Sequence, residues 1–381
     1  MPRLHSMLAG AAVCALAAAG AALAAGSDED LRINPIQVIG THNSYHAGLT
    51  PGVAKLLQAT NPKAFDGLDY QHAGLTTQFN HGIRQVELDV YVDAKGGRFA
   101  HPFGATLNAG GAAAFDPEHV FAKPGYKVMH VQDIDYVSNC QPFTGCLKEI
   151  RAWSKAHPNH LPLFVLVETK TQDPIKAVPG MVDYERFTPE ALDALDAEIR
   201  SVFPDNERIT PDQVRGKYAT LPEAVAAKGN GGGWPTLKAA RGKIVFLLDQ
   251  ENITPNYVAG HPALKGRVLF TNAKAGAPDA AFVEHNDATP VEIDALVKQG
   301  YIVRTRSDGD TKEGRSGDTT NRDKALASGA QMVSTDYPWY EPSRWTGYTV
   351  SLPGKASARC NPITAPKDCS DTGLKDAPVA P

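Results

Sequence analysis

The sequence predicts a single domain with the α/β architecture of a TIM-type (β/α)8 barrel. Eight short runs rich in β-branched and apolar residues are spaced along the chain, and amphipathic helical patterns lie between several of them. Strands that alternate with helices favour βαβ units and a parallel sheet. Eight such strands are enough to close a barrel, and a chain of 381 residues accommodates one barrel with terminal segments.

The predicted strands end in polar residues, as strands of a barrel enzyme do. They cover residues 35–40, 84–92, 127–132, 163–168, 243–249, 267–271, 301–306 and 331–335. The connection at 250–266 fits neither a strand nor a helix pattern, so the sequence is also compatible with an irregular barrel.

Helices are predicted where apolar residues recur at helical spacing. They cover residues 146–157, 188–203, 289–300 and 322–329. Two of them open with Thr-Pro, at Thr188 and Thr289. Threonine is a good N-cap and proline is tolerated in the first turn, so both positions are natural helix starts.

The two ends of the chain differ in composition from the barrel segment. Residues 1–25 combine Arg3 and His5 with an Ala-rich apolar run and a small-residue cleavage pattern, which predicts a secretory signal peptide. The barrel is expected within 26–345. Residues 346–381, rich in Pro, Ser, Gly and Lys, are expected to form an extended tail.

Four cysteines remain after the predicted signal peptide. An even number in an exported protein suggests disulfides, and the spacing favours Cys140–Cys146 and Cys360–Cys369, although three pairings are possible. A zinc site is the alternative, but the two cysteine pairs are far apart and lack the tight Cys-x-x-Cys form. Export to the periplasm or the medium is therefore expected.

The composition excludes several classes of partner. The net charge is −4 and no basic block is present, so nucleic acid is not an expected partner. Beyond the signal peptide no segment reaches the roughly 20 uninterrupted apolar residues of a membrane helix.

One predicted strand, RQVELDVYV, carries two carboxylates on one face. Because side chains alternate along a strand, Glu87 and Asp89 point to the same side, toward the barrel axis. Buried carboxylates this close repel each other and need a raised pKa, a cationic partner or a metal. The alternative to a metal is an ion pair with Arg84 or Arg98.

Further oxygen donors follow two other strands. Glu168 and Lys170 share a face at the end of LFVLVETK, and Asn43 follows the first strand. The carboxyl ends of barrel strands meet at one rim, which predicts one ligand set: Asn43, Glu87, Asp89 and Glu168. Hard oxygen donors with net negative charge favour Ca²⁺ over Zn²⁺.

Two histidines stand at strand ends beside this set. His42 adjoins Asn43, and His130 lies in KVMHVQ. A histidine pair beside a metal suits phosphoryl transfer, because one imidazole accepts a proton from the attacking hydroxyl and the other protonates the leaving oxygen. The metal lowers the pKa of the hydroxyl.

The blocks GTHNSYH, VELDVY and VLVETK resemble the catalytic segments of phosphatidylinositol-specific phospholipase C barrels. PGYKVMHVQDIDYVSNC, CLKEIRAWSKAHPNHLP, VRTRSDGDT and ALASGAQMVSTDYP resemble further signatures of the secreted bacterial, calcium-dependent branch. Seven ordered blocks extend this resemblance from about residue 36 to about residue 337. A single ELD would be a weak signal, whereas the ordered set is specific.

The resemblance implies roles for matching positions. The family's metal ligands correspond to the four oxygen donors, and its first catalytic histidine corresponds to His42. The second corresponds to His130, in the block that resembles the bacterial branch, or to His101, whose spacing after ELD resembles the eukaryotic enzymes; His130 is preferred. The implied reaction is attack by the inositol 2-hydroxyl on the adjacent phosphodiester, which yields diacylglycerol and a cyclic inositol phosphate. The implied enzyme contacts a membrane surface peripherally and is expected to be a monomer.

Several charged residues are candidates for substrate binding. Arg304 and Arg306 share a face at the end of the seventh predicted strand, and a guanidinium fits phosphate or inositol oxygens. Their alternative is a salt bridge to Asp308, to Asp310 or to the carboxylate cluster. Lys170 either neutralises a phosphate or pairs with Glu168. Asp336, at the end of the eighth predicted strand, orders a substrate group or a histidine, or caps a turn.

The other histidines show no partner pattern and are predicted to be surface or packing residues: His46, His72, His81, His119, His157, His160, His261 and His285. Two alternative functions share some of these features. A glycerophosphodiester phosphodiesterase also uses a Glu-x-Asp pair, but it usually begins with His-Arg-Gly, where this chain has Thr41-His42-Asn43. A non-catalytic lipid- or calcium-binding module would not need both histidines.

Overall fold

A computed structural model describes residues 30–111, 115–227, 233–287 and 289–376. The predicted signal peptide, residues 1–25, lies outside these ranges. The strands are β1 Ile36–Thr41, β2 Gln85–Tyr91, β3 Lys127–Val128, β4 Leu163–Thr169, β5 Arg208–Ile209, β6 Ile244–Leu248, β7 Phe270–Thr271, β8 Phe282–Glu284, β9 Ile302–Arg306, β10 Met332–Thr335 and β11 Arg359–Cys360.

The α-helices lie between and outside the strands. They span Pro51–Thr60, Pro62–Leu68, Leu75–Asn80, Phe103–Thr106, Phe143–Ala156, Pro189–Val202, Pro211–Arg215, Leu221–Ala226, Leu237–Ala240, Thr254–Val258, Pro290–Lys298, Lys312–Ser316 and Thr320–Ala327.

Eight parallel strands form the barrel, which confirms the predicted fold class. The order around it is β1, β2, β4, β6, β7, β8, β9 and β10, and β10 pairs again with β1. A single parallel bridge between Asn272 and Phe282 joins β7 to β8. The pairing of β1 with β2 also has one registered pair, Gly40 with Gln85, so these two seams are the sparsest parts of the ladder.

Two strand predictions need correction. The predicted third strand, 127–132, is not a barrel strand: β3 covers only Lys127–Val128 and pairs antiparallel with β2. The chain then turns back on itself, with Asp133 at φ 66° and a bridge between Val131 and Asp135. The barrel reaches eight strands through β8, Phe282–Glu284, which is too short to stand out as a periodic pattern in the sequence.

The predicted helix starts agree with the structure. The Thr188 hydroxyl accepts a hydrogen bond from the backbone N–H of Ala191, and Pro189 opens the helix that ends at Val202. The buried face of this helix includes Leu192, Leu195 and Ile199. Thr289 precedes the helix Pro290–Lys298, and Gly300 ends that segment at φ 95°.

The C-terminal tail runs along the N-terminal end of the barrel strands. β11 pairs antiparallel with Ile36 and Gln37 at the start of β1. Asp376 forms an ion pair with the buried guanidinium of Arg84 at the start of β2. The disulfides are Cys140–Cys146 and Cys360–Cys369, as predicted.

No helix in the described part of the chain combines the length and the apolar character that a membrane crossing requires.

The main core lies between the strands and the outer helices. It includes Val86, Leu88 and Val90, the residues of β2 that alternate with the polar ones. This alternation leaves the other face of β2 for the barrel interior.

His160, at the N-terminal end of the barrel, makes folding stability depend on pH. It is buried, its Nδ1 donates to Leu161 O at 2.5 Å, and its Nε2 accepts from the Ser154 hydroxyl at 2.7 Å. These bonds suit the neutral ring, and burial lowers the pKa of His160 to about 4. The unfolded chain binds the same proton near pH 6.5, so this contribution is complete above pH 6.5 and is lost as the pH falls toward 4.

We predict that His160→Gln removes about 2 kcal/mol of the stability difference between pH 7 and pH 5. Glutamine keeps one donor and one acceptor but does not titrate. Urea unfolding at the two pH values measures the difference, with His101→Gln, a substitution of an exposed histidine, as the control. An unchanged pH dependence in His160→Gln would show that His160 titrates normally.

Candidate active site

Three carboxylates meet at the C-terminal mouth of the barrel. Parallel pairing sets Asp89 of β2 opposite Glu168 of β4, and Glu87 lies two residues earlier on the same face. One carboxylate oxygen from each of the three lies within 4.8 Å of the others. This is the spacing of ligands around one metal ion.

Holding these three carboxylates close together is electrostatically unfavourable. Burial raises the pKa of Glu87 to about 7, although Arg304 opposes this shift. Burial, together with Glu168 and Glu87, raises the pKa of Asp89 well above its ordinary value. A divalent cation relieves both effects by favouring the charged carboxylates.

Lys170 is one of two cationic side chains in contact with this group. Its Nζ lies 3.0 Å from Asp89 Oδ2 and 2.9 Å from Glu168 Oε1. Burial alone would lower the pKa of Lys170, but these two carboxylates raise it above its ordinary value. The ammonium therefore remains charged and offsets part of the negative charge, as the ion-pair interpretation of this residue predicted.

Asn43 combines an unusual backbone conformation with a buried side-chain oxygen that lacks a hydrogen-bond partner among the described residues. It is fully buried and sits at φ 45°, in the left-handed region that costs a non-glycine residue energy. Its Nδ2 donates to the Tyr70 hydroxyl at 2.9 Å. Its Oδ1 has no hydrogen-bond partner among the described residues, and the same holds for Asp89 Oδ1.

These observations fit calcium. Buried oxygens without hydrogen-bond donors are expensive unless something else satisfies them. Glu87, Asp89, Glu168 and Asn43 offer carboxylate and amide oxygens, which are the ligands that Ca²⁺ prefers. The four residues predicted as ligands are therefore chemically suited to the ion.

Arg304 lies below the carboxylates, and each nitrogen of its guanidinium group contacts a neighbouring side chain. Its NH2 lies 2.5 Å from Glu87 Oε2, and its Nε donates to Ser334 Oγ at 3.0 Å. Its NH1 contacts Glu284 and Asn286. The geometry favours the ion-pair alternative for this arginine over substrate contact.

The other proposed ion-pair partners of Glu87 and Asp89 lie elsewhere. Arg84 pairs with Asp376 at the opposite end of the barrel, and Arg98 pairs with Glu185. The alternative that either arginine neutralises this carboxylate pair is therefore wrong.

His42 follows β1 directly and faces the carboxylate group. Its Nδ1 lies 2.8 Å from Asp336 Oδ1, and its Nε2 lies 3.7 Å from Glu87 Oε1. Burial, followed by the charges of Arg306 and Arg304, lowers the pKa of His42 well below its ordinary value. The ring is therefore neutral near pH 7 and able to accept a proton.

His130 reaches the same cavity from the turn that follows β3. Its Nδ1 lies 2.9 Å from Asp135 Oδ2, and Tyr91 donates to its backbone carbonyl at 3.1 Å. Burial, followed by the charge of Lys170, lowers its pKa. Each of the two histidines thus has an aspartate at Nδ1, which leaves Nε2 to exchange protons.

His101, the other candidate for the second histidine, is exposed in the loop before the helix Phe103–Thr106. It is not among the described residues that line the cavity shared by His42 and His130. The structure places His130, and not His101, in the lining of the cavity that contains His42.

A cavity of about 670 Å³ opens above these groups. Its lining includes His42, His130, Arg306, Asp336 and Tyr70. The NH2 of Arg306 lies 3.2 Å from Asp336 Oδ2, while its buried Nε has no hydrogen-bond partner among the described residues. Arg306 therefore retains a donor for an anionic or hydroxylated ligand.

Sequence reasoning missed several residues of this site. Tyr70 and Asp135 were not predicted, and His46 and His72 were assigned to the surface or to packing. His46 is buried against Asp135, and His72 Nε2 lies 3.0 Å from the carbonyl of His42. Only the position of His46 in the block GTHNSYH offered a signal, because the partners of these residues lie far away in the sequence.

A family model for the calcium-dependent phosphoinositide phospholipases C matches residues 31–362. The chain belongs to this family. It is therefore a phospholipase C, a calcium-dependent phosphoric diester hydrolase, which agrees with the preferred hypothesis and not with the two alternatives. No curated protein sequence matches the chain.

Solved structures of bacterial enzymes share the fold. The calcium-dependent phosphoinositol-specific phospholipase C of a Pseudomonas species is 13% identical with a TM-score of 0.52, and the match covers 88% of this chain and 97% of the other. The calcium-dependent enzyme of Streptomyces antibioticus is 19% identical with a TM-score of 0.50, and the match covers 80% and 95%. At these identities the likeness is one of fold.

We predict that Asp89→Asn weakens calcium binding by at least about tenfold, because one unit of negative charge is lost from the ligand group. Isothermal titration of the purified phospholipase with calcium chloride measures the affinity without any substrate. Asp310→Asn removes a charge from the cavity lining outside the carboxylate group and should bind calcium as the parent does. Equal affinities in Asp89→Asn and the parent protein would exclude Asp89 as a ligand.

Proposed function

We propose that this phospholipase cleaves phosphatidylinositol to diacylglycerol and a cyclic inositol phosphate by histidine acid–base catalysis. One observation carries the proposal: two imidazoles, each held at Nδ1 by an aspartate, line one cavity beside the three carboxylates. This arrangement supplies a base, an acid and a metal position in a single site.

Calcium, when held by Asn43, Glu87, Asp89 and Glu168, would lower the pKa of the attacking hydroxyl and stabilise charge on the phosphate oxygens. The protein residues then move the protons. His42 is the proposed base because its free Nε2 faces the carboxylate group, at 3.7 Å from Glu87 Oε1. It takes the proton of the inositol 2-hydroxyl as that oxygen forms a bond to phosphorus.

His130 is the proposed acid for the leaving group. The bond from phosphorus to the diacylglycerol oxygen breaks, and that oxygen takes a proton from Nε2 of His130. Its side chain is partly exposed to the cavity. The pKa of His130 is low in the protein alone, and entry of the anionic phosphodiester favours the protonated ring.

The substrate contacts are assigned by availability. Arg306 lines the cavity and retains a donor, so it is the best candidate for the phosphate or an inositol hydroxyl. Lys170 is held between two carboxylates, and it is proposed to balance the charge of the phosphate. Asp336 is proposed to position His42 instead of substrate, because its Oδ1 accepts from that ring.

Two other observations support this assignment. One structure of the Pseudomonas enzyme is a complex with myo-inositol, at 14% identity and a TM-score of 0.51 over 87% of this chain and 96% of the other. The two disulfides are typical of an oxidising compartment, so we propose that the enzyme is exported and meets its lipid at a membrane surface.

We predict that His42→Ala and His130→Ala each lower cyclic inositol phosphate release from phosphatidylinositol vesicles by at least about 10²-fold, because each removes a proton-transfer group. Phosphorus NMR follows the products, with and without a calcium chelator. His101→Ala is the matched control and should retain activity.

Two results would overturn the proposal. Retained turnover in His42→Ala would remove the base from the mechanism. Cleavage of glycerophosphocholine by the parent protein, with no reaction on phosphatidylinositol, would assign the site to a different phosphodiester.

A further inference from the structure

His46 lies outside the mechanism given above, yet it is bound to the same carboxylate as His130. Its side chain is completely buried, and its Nε2 lies 2.9 Å from Asp135 Oδ1. Its Nδ1 has no hydrogen-bond partner among the described residues. A residue that only fills space would not need a polar ring here, because burying an unsatisfied nitrogen is unfavourable.

We propose that His46 is a positioning residue that holds the carboxylate of Asp135, and through it fixes the tautomer and orientation of His130. This inference rests on the proposed role of His130 as the acid for the leaving group. It assigns a purpose to a buried histidine that makes no contact with the reacting atoms.

The carboxylate of Asp135 contacts both histidines. Oδ2 lies 2.9 Å from Nδ1 of His130, and Nε2 of His46 lies 2.9 Å from both Oδ1 and Oδ2. A carboxylate bound by one donor can rotate about its Cβ–Cγ bond, whereas a second donor placed between its two oxygens fixes its plane. His46 therefore restricts the direction in which Asp135 can accept from His130.

His46 is itself held in a fixed position by its neighbours. Its backbone forms an antiparallel bridge with Ser138, and its carbonyl accepts from the N–H of His72 at 2.8 Å. The ring of Tyr70 packs against its ring at a centroid distance of 4.7 Å. The imidazole is thus fixed before Asp135 meets it.

The contact between His46 and Asp135 also joins the two segments that carry the proposed catalytic histidines. His46 belongs to the segment after β1 that also carries His42, whereas Asp135 and His130 belong to the turn after β3. The contact between His46 and Asp135 ties these two segments together. It therefore sets where the proposed acid stands relative to the proposed base.

The charges around His130 agree with this arrangement. Burial alone would raise the pKa of Asp135, but His46 and His130 hold it below its ordinary value, so the carboxylate stays ionised. The titratable groups that face His130 are Lys170, Asp135, His46 and His42. Of these, only Asp135 favours the protonated ring, and it divides its charge between two imidazoles.

The test compares His46→Leu with His46→Gln in the full-length protein. Leucine removes the donor to Asp135, while glutamine retains an N–H that can reach it. We expect His46→Leu to lower kcat on phosphatidylinositol vesicles by about 10- to 100-fold, the usual cost of losing an orienting partner. KM and the calcium affinity should change by less than about twofold, and His46→Gln should recover most of kcat.

Two readouts separate a positioning role from a merely structural one. In His46→Leu, Asp135 no longer shares its charge, so the limb of the pH profile that reports His130 should move to higher pH. Long-range ¹H–¹⁵N spectra of the ring nitrogens should show a single Nδ1–H tautomer of His130 in the parent and a mixture in His46→Leu. His160→Gln, at a buried histidine remote from the site, is the control and should leave both readouts unchanged.

The spectra need no substrate, so this inference can fail independently of the proposed function. An unaltered His130 tautomer and an unaltered pH profile in His46→Leu would overturn it. If His46→Leu does not fold, His46→Gln decides: a parent-like tautomer and near-parent kcat support the inference, and a mixed tautomer with low kcat overturns it.

Discussion

The mutual repulsion of three carboxylates, of which Glu87 and Asp89 are buried and Glu168 is half-buried, is the constraint on which this site depends. Glu87, Asp89 and Glu168 stand within 4.8 Å of one another at the barrel mouth, where little water can screen them. The protein offsets the charge in part, with a guanidinium below and an ammonium beside the group. A calcium ion held by these carboxylates would complete the compensation, in agreement with the calcium dependence of the family.

The same compensation links strands on different sides of the barrel. Arg304 of β9 contacts Glu87 of β2 across the interior and Glu284 of the neighbouring β8. A buried ion pair adds little net stability, but removing one partner is costly because the other charge is left alone. The carboxylates at the barrel mouth and the packing of the interior are therefore parts of one network, in which a change at Arg304 would disturb the proposed metal ligands.

The two proposed proton-transfer groups reach the cavity by different structural routes. His42 and Asp336 stand just after β1 and β10, two paired strands, so the barrel itself brings them together. His130 and Asp135 come from an excursion beyond β3, outside the barrel ladder, and need additional contacts to be held in place. The contact between His46 and Asp135 is one of those that hold this excursion in place.

The sequence by itself determined the local features of this protein. Alternation along β2 set the two carboxylates on one face, Thr-Pro pairs marked helix starts, and short spacings favoured the two disulfides, because each depends on residues that are neighbours in the chain. Only the tertiary structure decided which short segment completes the barrel, that Arg304 and not Arg84 neutralises Glu87, and that His46 meets Asp135. Glu87 and Arg304 are 217 positions apart, and the choice among such distant partners depends on how the strands pack, for which no local pattern exists.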